Sequence, residues 1–223
     1  MRTIHIRSLS LAAVTLALAV NAGAQDANGV LNVVELQRLA TRGSVEDNAK
    51  LAAHFNALAA RETTEADNHA AMAQTFGGNP NRGVNTTMAV HCKQLGDLNR
   101  KSAATLRELA VYHEKLAIGL PATAPRDAAP YERGKGAKEP TRQELTSMAA
   151  KARTPSEHGA LTEYFQTLVQ RYTKEANDYA AMANAFRGTK MESTVANYDR
   201  LAALARDSAK EAAESADMHS TTK

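Results

Sequence analysis

From Asn48 to Phe76 the chain repeats a seam at alternating three- and four-residue spacing: Asn48, Leu51, Phe55, Leu58, Glu62, Glu65, His69, Met72, Phe76. Side chains at that spacing share one face of an α-helix, so the stretch predicts a long helix with apolar ends and a polar middle. The same register returns 110 residues later as His158, Leu161, Phe165, Leu168, Tyr172, Glu175, Tyr179, Met182, Phe186. Two further seams follow these: Met88, Cys92, Leu95, Asn99, Ser102, Leu106, Leu109, His113, and then Tyr198, Leu201, Ala205, Ser208, Ala212, Ser215, His219. Each has the same polar middle.

The correspondence is a repeat. Between Ala49 and Gly78, 13 of 30 positions match their partner, including Arg61/Arg171, Glu65/Glu175, Met72/Met182 and Phe76/Phe186, which chance alanine matches do not explain. A second block matches at an offset of 106, pairing His113 with His219 and Arg100 with Arg206. The four-residue change falls in a turn, where deletions are tolerated. Helix starts are marked by Ser44 with Asp47 and by Thr154 with Pro155 and Glu157, in capping-box spacing, and stops by Gly77-Gly78 and Gly188. The return helices are expected from about Asn85 to Ile118 and Lys190 to His219. Short helices are expected at Val33 to Ala40 and Glu144 to Lys151. Four of the six prolines lie between residues 120 and 141, which makes that stretch a linker rather than a helix. The predicted fold is all-α: an antiparallel four-helix bundle of two repeated hairpins, residues 25–119 and 142–223, each preceded by a short helix.

Composition alters this picture at the start of the chain. Arg2 and Arg7 precede a 12-residue apolar run, Leu9 to Val20, followed by Ala22-Gly23-Ala24. That is the pattern of a signal peptide over residues 1–24, with the mature chain starting at Gln25 and residing in the periplasm or outside the cell. The run is short for a membrane span, and no later stretch approaches one. Removing it leaves 27 − 2 = 25 basic against 24 acidic residues, so the charge balance supplies no argument for nucleic-acid binding. With a single cysteine, Cys92, no internal disulfide exists; the thiol is a core residue, a metal ligand or the cross-link of a homodimer.

Two groups of residues could hold a metal. Near the hairpin turn, His69 and Met72 fall opposite Met88, His91 and Cys92. Imidazole, thioether and thiolate together suit copper or zinc, and a His/Met pair also suits b-type haem. The second hairpin has Tyr179, Asn197 and Tyr198 in those places, and Met and free Cys commonly fill cores. At the other end, counting outward from the turns sets His158 across from His219 and Asn48 across from His113. Three histidines converging there make most of a zinc or copper site, with Asn48, Glu157 or water completing it; the alternative is that the last-turn histidines cap carbonyls. Seam residues Glu65 and Glu175 invite a di-iron reading, but that class needs Glu-x-x-His, and Asn68 and Asp178 stand three residues on. The plainer expectation is a structural layer in which Arg61, Arg171, Arg100 and Arg206 pair with Glu65 and Glu175. No Cys-x-x-Cys-His, His-Glu-x-x-His, phosphate loop or Gly-x-Ser-x-Gly occurs, and no nucleophile is paired with a base, which argues against an enzyme.

The runs His158-x-x-Leu161, Tyr164-Phe165, Ala180-Ala181-Met182-Ala183, His69-Ala70-Ala71-Met72-Ala73 and Met88-Ala89-Val90-His91-Cys92-x-x-Leu95 resemble a group of uncharacterised exported bacterial alanine-rich helical-hairpin proteins, here as a tandem repeat. The resemblance implies a helical-hairpin fold and an exported location, and no activity to transfer. Asn48, Tyr179 and Asn197-Tyr198 depart from its pattern. The functional expectation is a non-catalytic bundle binding copper or zinc through histidines for storage, buffering or stress protection. The alternatives are a structural or interaction bundle and, behind it, a b-type haem carrier.

Overall fold

The computed structural model describes residues 30–78, 82–118 and 140–221, with the backbone alone for 82–85. The expected signal peptide, the Asn79-Pro80 turn and nearly all of the Pro/Gly-rich linker lie outside the described residues. Those described are all-helical, with no strand among them. Six α-helices pack against one another: α1 Val33–Arg42, α2 Val45–Gly77, α3 Arg82–Leu116, α4 Arg142–Lys151, α5 Pro155–Phe186 and α6 Val195–Thr221. No helix among the described residues is long and apolar enough to cross a membrane.

Local chemistry sets the helix ends. Gly43 closes α1 in the left-handed region at φ 63°, donating its N–H to the Leu39 carbonyl, a conformation that costs glycine little. Ser44 then caps α2 by accepting from the Asp47 N–H at 3.1 Å. The expected box is only half made there, because the short Asp47 carboxylate is engaged by the Arg42 guanidinium instead of reaching back. At α5 the longer Glu157 completes the box, accepting from the Thr154 N–H at 3.0 Å. The last helix begins later than the expected Lys190. Gly188, at φ 71°, turns the chain, and a 3-10 turn at Glu192–Thr194 precedes α6.

The seams meet in two apolar clusters. In one, Leu51, Phe55 and Leu58 from the start of α2 pack with Leu106 and Leu109 from the end of α3, Met182 and Phe186 from the end of α5, and Tyr198 and Leu201 from the start of α6. In the other, Met72 and Phe76 from the end of α2 pack with Met88, Cys92 and Leu95, with Leu161 and Phe165 from the start of α5, and with Ala212 and Ala216 from the end of α6. The pair α2–α3 and the pair α5–α6 therefore lie in opposite directions, joined along α3 and α6. Helices α1 and α4 each contact both α2 and α5. The Leu31 N–H donates to His54 Nδ1 at 3.0 Å, tying the lead-in of α1 to α2 and fixing that ring with its proton on Nε2.

Candidate functional site

The opposed packing overturns the convergence of three histidines. Both expected pairs form: His113 Nδ1 lies 2.8 Å from Asn48 Oδ1, and His158 Nδ1 lies 2.9 Å from His219 Nδ1. They sit at opposite ends, however. His113 stacks on Phe55 in the first cluster, at 5.5 Å between ring centroids, and His219 stacks on Phe165 in the second, at 5.8 Å. Equal height within a hairpin does not bring equivalent ends together when the second hairpin is inverted. Burial holds the His113 ring down to a pKa of about 4; burial, with His158 beside it, does the same to His219. His219 also borders a shallow open cavity with Pro155, Gly159 and Glu163.

The turn-end group is also divided. Met72, Met88 and Cys92 come together, fully buried in the second apolar cluster. Burial pushes the Cys92 thiol up to about 12, and its side chain is packed in the core beside Met72 and Met88. His91, one residue earlier, points about 100° away. His69 is fully buried beside Glu65, with 4.0 Å between Nε2 and Oε2, and burial lowers its pKa to about 4.

The middle layer holds the ion pairs, and they cross between hairpins. Arg61 Nη2 contacts Glu175 Oε1 at 2.6 Å and Glu62 Oε1 at 2.9 Å; Arg171 Nη1 contacts Glu65 Oε1 at 3.3 Å, and its guanidinium lies 4.8 Å above the Tyr172 ring. Burial raises Glu65, but Arg171 and its neighbours bring it below the usual range; burial dominates at Glu62 and lifts it to about 7. Arg100 and Arg206 do not join the layer. Arg100 is half exposed and bonds Asp97 at 3.0 Å, and Arg206 is exposed, because both lie off the buried seam although at the right height. Glu62, a seam position, takes part in their stead.

A cluster that sequence reading missed lies between α3 and α6. His91 Nδ1 is 2.8 Å from Glu211 Oε2 and 3.7 Å from Glu214 Oε2, and the three ligand atoms all lie within 4.8 Å of one another. His91 and Glu211 are largely covered and Glu214 half exposed, so the group is reachable from solvent. The i, i+3 spacing of Glu211 and Glu214 was its one signal in the sequence; the missing information was which helix faces α6. Neither family models, curated proteins nor solved structures yield a match to this chain.

Proposed function

We propose that this protein is an exported, non-catalytic antiparallel four-helix bundle, built from one hairpin used twice, that holds a divalent transition metal for storage, buffering or stress protection. The metal is zinc or copper, and its ligands are His91, Glu211 and Glu214. The observation that carries this reading is the convergence of one imidazole nitrogen and two carboxylate oxygens within 4.8 Å on two helices. An imidazole with carboxylates suits zinc, and three protein ligands leave one position for water or an exchanging partner. Partial exposure suits a site that loads and unloads. The test is zinc and copper titration of untagged full-length protein, followed calorimetrically. His91→Ala and Glu211→Gln should each remove one equivalent without lowering the thermal midpoint; unchanged stoichiometry in both removes the proposal.

A second reading, an interaction bundle whose polar layers only set register, is favoured by the inward pairing of His54, His113, His158 and His219. On that reading His91→Ala leaves the biological role intact. A b-type haem ranks behind both, because the porphyrin has to displace the packed Phe76, Leu95 and Phe165 to reach Met72 or Met88. A Soret band on expression would promote it.

A further inference from the structure

Midway along the helices, five buried polar atoms of four side chains have no hydrogen-bond partner: Glu65 Oε2, both ring nitrogens of His69, Asn99 Nδ2 and the Tyr164 hydroxyl. Buried polar groups are almost always satisfied, and each orphan costs on the order of 1–3 kcal/mol. An imidazole with both nitrogens orphaned lacks an acceptor and a donor whichever tautomer it adopts. A bound species that ligates these atoms, or that both donates and accepts, would satisfy them. Two guanidiniums, Arg61 and Arg171, stand against three carboxylates, Glu62, Glu65 and Glu175, within one network of contacts. Glu62 is lifted to about 7, so the layer is close to balanced near neutral pH. At Glu65, Oε1 is held by Arg171 while Oε2 has no hydrogen-bond partner.

The geometry suits a cation. Glu65 Oε2 and His69 Nε2 are 4.0 Å apart, within reach of one ion at about 2.1 Å from each and about half an ångström wider than two tetrahedral ligands stand. Tyr164 brings a phenol oxygen from α5, its ring 6.3 Å from that of His69. On α3, Gly96 lets the backbone close over the same spot: a Cβ there meets the Ala66 carbonyl at 3.2 Å and His69 Cβ at 3.7 Å.

We propose that Glu65, His69 and Tyr164 enclose a second, buried site for a divalent first-row metal ion of the zinc class, distinct from the surface triad. It shares no ligand with His91, Glu211 and Glu214 and exchanges slowly because every ligand is buried. The alternative occupant is a cluster of ordered waters.

Cobalt(II) loading of the untagged full chain tests this, with equivalents counted by dialysis and the d–d absorption recorded. His91→Ala eliminates the surface triad and should retain one equivalent. Adding His69→Ala should eliminate that one, and adding Tyr164→Phe, which keeps the ring and its packing, should weaken it at least tenfold and alter the visible spectrum. Circular dichroism reports whether each variant is folded, and Tyr164→Phe decides if His69→Ala is not. No bound equivalent in His91→Ala, or an equivalent unmoved by either second change, overturns the proposal and leaves water as the occupant. If wild type and His91→Ala bind the same single equivalent and His69→Ala loses it, the buried site stands and the surface triad falls.

Discussion

A histidine ring packed among phenylalanines has given up its hydration, and the charged form suffers most from that loss. Burial, the main cause in each, pushes His54 down to about 3 and His69, His113 and His219 down to about 4, against 6.5 for a solvated imidazole. The unfolded chain accepts protons that the folded one refuses. Stability from these rings is therefore complete above about pH 6.5 and lost as pH falls toward 4. Glu62 has the opposite sign: raised to about 7, its contribution is complete below its ordinary 4.5 and is lost as pH rises through 7. Two outcomes follow at this scale. The thermal midpoint at pH 4.5 should lie roughly 10 °C below its value at pH 7, since several kcal/mol are lost and each shifts a chain of this size by a few degrees. Glu62→Gln should raise stability by about 1–2 kcal/mol at pH 8 and change little at pH 5, where the carboxyl is already protonated; a loss at pH 8 contradicts this account of the layer. Cys92 should resist thiol reagents until the protein unfolds.

At the scale of elements, glycine separates packing from propensity. Gly159 on exposed α5 has nothing within 4 Å of an added Cβ, so Gly159→Ala should gain up to about 1 kcal/mol from helix propensity alone. Gly96 faces the Ala66 carbonyl at 3.2 Å, and helix backbone yields less readily than a side-chain tip. Gly96→Ala should therefore forfeit that gain and fall below wild type in thermal unfolding; equal gains at both sites mean that α2 and α3 are not held closely there. Helix positions, caps and the partners Asn48/His113 and His158/His219 were legible in the sequence, because a hairpin turn ties two seams at known heights. The sense in which one hairpin lies on the other was not legible. Residues 120–141 connect the hairpins in either direction with the same composition, and the three-histidine cluster fell with that unknown. So did the triad: His91 and Glu211 meet only where α3 lies against α6.

Across the whole molecule, two apolar clusters are separated by a layer whose ion pairs run from one hairpin to the other, Arg61 to Glu175 and Arg171 to Glu65. Height alone suggested four arginines for that layer; Arg100 and Arg206 share the height but not the face. Crossed pairs of this kind favour one register, because a slip of one turn buries a carboxylate opposite no guanidinium. Arg171→Met should destabilise by about 3–5 kcal/mol by stranding Glu65, and Glu65→Leu added to it should recover most of the loss. Additive losses in chemical denaturation contradict a coupled layer. The central claim concerns the surface triad that this scaffold displays, His91 with Glu211 and Glu214. Its most direct test is isothermal titration of untagged wild type and His91→Ala with zinc. The account predicts one equivalent fewer in the variant with an unchanged thermal midpoint for the apo form, and equal stoichiometry, or no binding by wild type, contradicts it.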